Sequence, residues 1–313
     1  MKIIDSTTIL ISGGCSFVGN QLVTYLLNHT KSRLIVCYRT FSIKTIKDSR
    51  ITYENADLLN ADSYENIFKK YDPKIVFHLA AITRLSPGEK DPVLTVKTNY
   101  FGTKMIADLC IKYNVKSFIS LSSNLARNPK SVIGLLKYLS EVYLRKTGNL
   151  RTKMISIRLP NVPDSPGSVI LIFKKQIDDG SQLTVTDPLM ERRFVSNEYA
   201  SKLLKSTADI GKNGNVFIVA IENTKISDLA KEMIKKSGKH IDIKYIGIKP
   251  GEKLIEERYE ENEIIKTKIK DLSILINDWS DENINDVVKI LSSKSDNKSF
   301  QSLVEKIKVS LQR

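Results

Sequence analysis

The first half of the chain alternates between short apolar runs and stretches in which apolar residues recur with helical spacing. The runs are rich in β-branched residues and have the length of strands. They are TILIS (8–12), LIVCY (34–38), KIVFHL (74–79), SFISL (117–121) and MISIR (154–158), and the clearest helical stretches are Phe17–Asn28, Val93–Cys110 and Ser131–Lys146. Strands joined by crossover helices predict an α/β fold with a doubly wound parallel sheet.

The pattern becomes less regular after Arg158, where prolines and a glycine mark irregular connections. Further helices are predicted near Val169–Asp178, Asn197–Asp209 and Ser227–Lys236, and further strands at LTVT, NVFIVA and IDIKY. We predict a first domain over residues 1–158 and a smaller lobe over 159–261, some segments of which return to the main sheet. Residues 262–313 form a polar tail with helical spacing.

The net charge of +14 raises the question of a nucleic-acid partner, because a basic field attracts polyanions. The lysines are scattered singly, however, and no basic run is interleaved with aromatic residues. A lysine-rich solvated surface is the simpler interpretation, and a nucleotide-linked substrate is also an anion that this charge would attract. We therefore predict no nucleic-acid partner.

Other classes of protein are disfavoured by what the sequence lacks. No apolar stretch reaches the length of a membrane span, and the start of the sequence enters a strand-like run with no cleavable signal, so we expect a soluble cytoplasmic protein. The three cysteines include no close pair, and the three histidines are dispersed. A disulfide framework and a metal site are therefore not expected.

The strongest chemical signal is the stretch ISGGCSFVGNQL at residues 11–22. Gly13, Ser16 and Gly19 follow the spacing G-x-x-G-x-x-G, with serine in place of the middle glycine. A glycine-rich turn between a first strand and a helix lets the backbone approach a pyrophosphate, whose charge then lies at the helix N-terminus. The position of the turn in a chain of alternating elements predicts a dinucleotide site.

The end of the second predicted strand bears on the choice of dinucleotide. An acidic residue that holds a ribose hydroxyl is expected there, but the strand ends in CYRT. Arg39 suits a 2′-phosphate, which favours NADP over NAD, although Arg39 could equally be a solvated strand-end residue. Asp57, after the third strand, either accepts a hydrogen bond from the adenine amino group or caps the following turn.

Motifs along most of the chain carry a family resemblance. They are GGCSFVG, ADL, VFHLAA, VKTNYFGT, SLSSNLARNP, LLKYLSE, IRLPNV, GSVILIFKKQI, PLMERRFVS and KPGEKLIEE. In this order they resemble the extended short-chain dehydrogenase/reductases, and more narrowly the polysaccharide-biosynthesis branch that contains the UDP-N-acetylglucosamine 4,6-dehydratases. The resemblance covers roughly residues 8–258 and implies a Rossmann-like domain with a C-terminal substrate lobe.

The resemblance also implies an activity and a set of site residues. Members of this branch oxidise a UDP-sugar at C4 with bound NAD(P), eliminate water across C5 and C6, and return the hydride to C6. The implied cofactor contacts are Gly13, Gly14, Ser16, Phe17, Gly19, Arg39, Asp57, Leu58, Ala80, Ala81 and Lys137. The implied UDP-sugar contacts are Thr83, Arg84, Asn161, Val169, Arg192 and Lys253, each of which could instead be a turn, core or surface residue.

The residues that resembling proteins use to move protons are replaced. The superfamily usually has a tyrosine four residues before the lysine, on the same helix face, and here that position is Ile133. Some members of the branch use a Thr-Asp-Lys cluster after the fifth strand, which here reads Ser123, Asn124, Leu125. Tyr138 is one residue out of phase. The catalytic candidates that remain are Ser123, Asn124, Lys137 and Arg84.

Three functions remain open. The first is an NAD(P)-dependent enzyme acting on a UDP-sugar by C4 oxidoreduction, epimerisation or 4,6-dehydration. The second is a homologue that binds the cofactor and the UDP-sugar with little or no turnover, and the third is a module that uses its basic charge to bind a surface or nucleic acid. A homo-oligomer is expected, with Val93–Cys110 or Ser131–Lys146 as its seam unless these apolar stripes belong to the core.

Overall fold

A computed structural model describes residues 3–40, 45–249 and 251–276 of the chain. In these ranges the first six strands are β1 (Thr8–Ser12), β2 (Arg33–Tyr38), β3 (Ile51–Asn55), β4 (Ile75–His78), β5 (Ser117–Ser123) and β6 (Lys153–Leu159). The later strands are β7 (Leu183–Val185), β8 (Glu191–Arg193), β9 (Val216–Val219), β10 (Asn223–Lys225), β11 (Ile243–Tyr245), β12 (Ile264–Lys266) and β13 (Leu272–Leu275).

Nine of the described strands form one sheet, in the order β12-β13-β9-β6-β5-β4-β1-β2-β3. The pairs from β9 to β3 are parallel, and only β13 and β12 join antiparallel at one edge. Crossover helices lie on both faces, so the predicted α/β fold with a doubly wound parallel sheet is confirmed. Strand order reverses between β1 and β4, which is where open sheets of this type bind ligands.

The helices are α1 (Phe17–His29), α2 (Ala61–Tyr71), α3 (Leu85–Lys90), α4 (Pro92–Val96), α5 (Gly102–Lys112), α6 (Val132–Thr147), α7 (Val169–Asp178), α8 (Asn197–Ile210) and α9 (Ile226–Ser237). The predicted helix Val93–Cys110 is divided, because a π-helical turn at Lys97–Phe101 separates α4 from α5. On α6 the apolar stripe packs inside the chain, with Leu136 and Leu139 against Val96 and Tyr100. These side chains therefore belong to the core, and the oligomeric state stays a prediction.

Alternation along the buried strands builds a core on each face of the sheet. Ile9 and Ile11 of β1 join one cluster, in which α1 packs against α8. Leu10, between them, points to the other cluster with Phe118 of β5, where α2 packs against α5. The continuous apolar runs in the sequence reflect this burial from both sides.

The chain after β6 adds strands to the main sheet and also forms a separate small cluster. Strands β9, β12 and β13 extend the main sheet. Helices α7 and α9 cover a separate small cluster with the β7–β11 pair. The predicted helical tail is wrong for 264–266 and 272–275, which are strands, because Leu272 and Leu275 are buried where β13 pairs with β9 of the main sheet. Residues 277–313 lie outside the described residues.

A buried ion pair joins α6 to the centre of the sheet. Arg158 on β6 is 0% exposed and donates to Glu141 on α6 through Nε (3.0 Å to Oε1) and Nη2 (2.7 Å to Oε2). The Ser122 hydroxyl also donates to Glu141, and Arg158 Nη1 donates to the Tyr259 hydroxyl at 2.7 Å. The pair therefore connects two strands, a helix and the segment around Tyr259.

We expect Glu141→Gln to lower the free energy of unfolding by about 3–5 kcal/mol, because it leaves the Arg158 charge buried without its counter-ion. Urea denaturation followed by circular dichroism measures this loss. Glu261→Gln is the matched control, since the Glu261 side chain is exposed and pairs with Lys266 at the surface. Equal stabilities of the two variants would show that the buried pair contributes little.

Candidate functional site

In the glycine turn after β1, three glycines lie so close to neighbouring atoms that none of them has room for a side chain. Gly13 has φ +73°, and a Cβ there would lie 2.7 Å from the backbone nitrogen of Ala80. A Cβ at Gly14 would lie 2.7 Å from Val36 Cγ1, and one at Gly19 would lie 2.3 Å from the Gly13 carbonyl oxygen. Any side chain at these positions would force the turn open, so the glycines are required by packing.

Ser16 replaces the middle glycine and becomes the N-cap of α1. Its Oγ accepts from the Gly19 backbone N–H at 3.1 Å, while its own N–H donates to the Gly13 carbonyl at 3.0 Å. The first N–H groups of a helix have no acceptor within the helix, so those of Phe17 and Val18 face the turn as donors for an anion. The narrow glycine cradle and this helix N-terminus fit the diphosphate of a dinucleotide.

The residues predicted to contact the adenosine end lie beside the next two strands. Arg39 is exposed after β2, and its carbonyl accepts from Asn55 Nδ2 at 3.1 Å. Asp57 Oδ1 accepts from the Leu59 N–H at 2.9 Å, which is the turn-capping role left open by the sequence. Leu58 packs against Gly102, where a Cβ would lie 3.1 Å from Leu58 Cβ. Arg39 is therefore accessible to a ligand, and Asp57 already has a structural role.

The turn after β4 is held by Asn99 in the π-helical turn. Its Oδ1 accepts from the Ile82 N–H at 2.7 Å, and its Nδ2 donates to the Ile82 carbonyl at 2.8 Å. This clamp fixes Ala80 and Ala81, both half-buried, opposite the glycine turn. Thr83 and Arg84 follow and are exposed.

A buried polar chain links that clamp to β1. The Thr103 hydroxyl donates to the Asn99 carbonyl at 2.7 Å, so its oxygen accepts from His78 Nε2 at 3.0 Å. His78 Nδ1 then accepts from the Ser12 hydroxyl at 3.1 Å. Burial, together with the positive charge of Lys137, lowers the pKa of His78 to about 3, so the imidazole is neutral and serves as a structural bridge.

Lys137 on α6 is 7% exposed and donates through Nζ to the Leu121 carbonyl at 2.6 Å. Burial lowers its pKa to about 8, and the negative charge of Glu141 one turn later opposes this shift. Ile133, where the resemblance implies a tyrosine, is buried against Gly88 of α3, where a Cβ would lie 2.7 Å from Ile133 Cδ1. Apolar packing therefore fills the space at position 133.

The turn after β5 contains the second group of proton candidates. Ser123 Oγ accepts from the Leu125 N–H at 3.3 Å and so caps the short 3-10 helix Asn124–Ala126. Asn124 is buried, and its Nδ2 donates to Glu256 Oε2 at 2.8 Å. Asn124 thus contacts Glu256, which is not among the site residues predicted from the sequence.

Glu256 also reaches the predicted sugar contacts. Its Oε1 accepts from Asn161 Nδ2 at 2.9 Å, and its side chain is buried. The sequence placed Glu256 in the quoted motif KPGEKLIEE but offered no reason to prefer it to its neighbours. Glu256 differs from its neighbours because residues 251–263 return to the ends of β5 and β6 and place its carboxylate against Asn124 and Asn161.

The remaining predicted contacts lie around this segment. Arg192 donates through Nη1 to the carbonyls of Glu191 (2.7 Å) and Leu254 (3.3 Å), and Lys253 Nζ donates to the Arg127 carbonyl. Burial lowers the pKa of both groups, opposed by nearby glutamates, Glu256 among them. Val169 is half-buried on the α7 cluster, and Arg84 lies over Gly167, where a Cβ would be 3.2 Å from Nε.

The comparisons with known proteins agree with this architecture. A model of the family described as polysaccharide biosynthesis protein matches residues 9–278. The chain belongs to this family. The resemblance inferred from the sequence motifs is thereby confirmed.

Two relatives show how far the similarity extends. The probable polysaccharide biosynthesis protein EpsC of Bacillus subtilis is 34% identical over 276 residues, which are 83% of this chain and 46% of EpsC. The chain thus spans about half the length of that relative. A UDP-N-acetylglucosamine 4,6-dehydratase (inverting) of Campylobacter jejuni is 31% identical over 80% of this chain and 77% of its own.

Among solved structures, the X-ray structure of Pen from Bacillus thuringiensis has a TM-score of 0.79 at 30% identity and covers 88% of this chain and 89% of Pen. In the ranges described here, no helix combines the length and apolar character needed to cross a bilayer. Nor do those ranges contain three His, Cys, Asp or Glu side chains grouped so as to hold a metal ion.

We expect Gly19→Ala to lower the free energy of unfolding by about 1–3 kcal/mol, because its methyl group overlaps the Gly13 backbone and overpacked sites are strained. Thermal and urea denaturation measure the change. Gln21→Ala, on the exposed side of the same helix, is the control and should leave stability nearly unchanged. A Gly19→Ala protein as stable as the control would mean that the turn opens without cost.

Proposed function

We propose that the chain is an NAD(P)-dependent enzyme that modifies a UDP-sugar resembling UDP-N-acetylglucosamine in polysaccharide biosynthesis. The observation that carries this proposal is the glycine turn, pressed against Ala80 at the reversal of strand order, with buried Lys137 near the same edge of the sheet. The reaction would proceed by C4 oxidoreduction, leading to reduction, epimerisation or 4,6-dehydration. The similarity to the Campylobacter dehydratase supports this class of substrate.

The cofactor side of the site is proposed for residues of the first half of the chain. Gly13, Gly14 and Gly19 would admit the diphosphate to the backbone, with the N-terminus of α1 directed at its charge. Exposed Arg39 would meet a 2′-phosphate, so we propose NADP as the cofactor, with NAD as the alternative. When bound, the nicotinamide would accept and return a hydride.

Lys137 would hold the ribose hydroxyls near the nicotinamide. Its Nζ already donates one hydrogen bond to the Leu121 carbonyl, which leaves two N–H donors of an ammonium group for a ligand. With a pKa of about 8, the amine is mainly protonated at neutral pH and loses that charge a little above it. Binding through the ammonium form would therefore weaken as the pH rises past about 8.

The substrate side is proposed for residues near the ends of β5 and β6 and in the second lobe. Arg192 and Lys253 supply positive charge in a mostly buried region, which suits the diphosphate of a UDP-sugar. Asn161, Val169, Thr83 and Arg84 would complete the contacts. Ser123 and Asn124 would lie towards the sugar, as the resemblance implies.

A second candidate function has its own support. Ile133 fills the usual tyrosine position with apolar packing, and Leu125 carries no polar group. Loss of a general base commonly costs about 10²- to 10⁴-fold in rate. The alternative is therefore a homologue that binds cofactor and UDP-sugar with little or no turnover.

We expect the purified protein to convert UDP-N-acetylglucosamine in the presence of catalytic NADP+. Mass spectrometry detects dehydration as the loss of one water, and proton NMR detects epimerisation, which leaves the mass unchanged. Reduction is assayed in the other direction, with a UDP-4-keto-sugar and NADPH. If none of these is converted while NADP+ and UDP both raise the melting temperature, the binding homologue is supported, because native-state ligands stabilise by mass action.

We expect Arg39→Ala to weaken NADP+ binding about 10- to 100-fold and to leave NAD+ binding unchanged, since a charge-assisted bond contributes about 1.5–3 kcal/mol. Titration calorimetry with both cofactors measures the difference. Arg33→Ala is the control, because Arg33 is exposed at the opposite end of the same strand. Tighter binding of NAD+ by the unmodified protein would contradict the NADP preference.

A further inference from the structure

Glu256 is a buried carboxylate held at the meeting point of two segments of the predicted site. It is 6% exposed, and its two oxygens accept from Asn124 Nδ2 at 2.8 Å and Asn161 Nδ2 at 2.9 Å. Asn124 follows β5 and Asn161 follows β6, so the carboxylate bridges the ends of neighbouring parallel strands. Its negative charge opposes the lowering of the pKa of Arg192, Arg193 and Lys253 by burial, and no ion pair joins it to them in the described part of the chain.

The amide partners distinguish Glu256 from other carboxylates near the site. Glu141 accepts from the Arg158 guanidinium, and Glu263 accepts from that of Arg127. A guanidinium only donates hydrogen bonds, so a carboxylate paired with it is held in the ionised form. Such groups fix structure and take no part in moving a proton.

An asparagine amide can satisfy either state of a carboxyl group. Its NH₂ donates to a carboxylate, as Asn124 does here, and after a rotation of the amide its oxygen accepts from a carboxylic acid O–H. Asn124 Oδ1 is buried and accepts no hydrogen bond from the described residues, so the rotation breaks no hydrogen bond of that oxygen. Asn124 can therefore keep a hydrogen bond to Glu256 whether the carboxyl group is ionised or protonated.

We propose that Glu256 takes and returns the proton of the sugar hydroxyl in this enzyme, an inference that rests on the proposed function. Bound NAD(P) would supply the hydride acceptor, and Glu256 would take the hydroxyl proton as the O–H bond breaks and the C=O bond forms. In the reverse direction Glu256 would return that proton to the oxygen as the carbon regains its hydride. The acid absent from position 124 is thus supplied by the amide's own hydrogen-bond partner.

Replacement of Glu256 by Gln tests the proposal, because the amide keeps the size of the side chain but cannot accept the proton. With UDP-N-acetylglucosamine and NADP+, we expect kcat to fall about 10²- to 10⁴-fold, with the KM for the UDP-sugar little changed. The fall of kcat towards acid pH, expected when a base must be ionised, should disappear in the variant. Glu261→Gln, at an exposed position, should behave like the unmodified protein.

The exchange variant N124D/E256Q provides a rescue. It restores a carboxylate beside an amide with the two positions reversed, so we expect it to recover at least part of the activity and an acid limb in the pH profile. If Glu256→Gln does not fold, Glu256→Asp takes its place. This shorter carboxylate is expected to lower kcat and retain the acid limb, and an unchanged kcat would overturn the proposal.

The outcomes separate the inference from the proposed function. If the unmodified protein converts its substrate and Glu256→Gln does so equally well, Glu256 is a structural residue and the inference alone fails. A variant that loses thermal stability and substrate affinity in parallel, with kcat and the acid limb retained, also overturns it. If the unmodified protein converts none of the UDP-sugars in any direction, both the function and the inference fail.

Discussion

The turns after β1 and β4 touch backbone to backbone at Gly13 and Ala80, and the candidate site depends on this contact. It holds two neighbouring parallel strands closely enough to form one narrow cradle at the carboxyl edge of the sheet. Hydrogen bonds support this contact as well as packing. Asn99 bonds to both the N–H and the carbonyl of Ile82, and His78 links Asn99, through Thr103, to Ser12 on β1. Since the imidazole is neutral, this buried chain carries no uncompensated charge.

A second constraint closes the other side of the site. Residues 251–263 return from the second lobe and are fixed to the ends of β5 and β6 by Arg127, which donates to Glu257 and Glu263, and by Arg158, which donates to Tyr259. These charged contacts orient the segment and bury Glu256 between two amides. The segment therefore places a buried carboxylate at the carboxyl edge of the sheet, in contact with Asn124.

The sequence predicts the parts of this arrangement that depend on local patterns. The glycine turn, the buried parallel strands and most helices follow from spacing and burial within a few residues, and the structure confirms them. The later strands β12 and β13 were missed because they are only three and four residues long, too short to show a strand period within a charged stretch. Glu256 could not be selected either, since its contact with Asn124 joins residues 132 positions apart and depends on the path of the whole second lobe.

The two constraints divide the site between separate parts of the chain. The turns after β1 and β4 shape the proposed dinucleotide cradle, and their close backbone contacts tolerate little change. The proposed sugar side is built from turn residues and from a segment held by side-chain ion pairs. Beside it, Ile133 is buried in apolar packing and Asn124 donates a hydrogen bond to Glu256. In the proposed reaction, hydride transfer would depend on the rigid part and proton transfer on the adaptable part. Side-chain contacts at this sheet edge can change without disturbing the glycine turn, so the proposed function would allow a strict cofactor cradle and an altered proton site in the same chain.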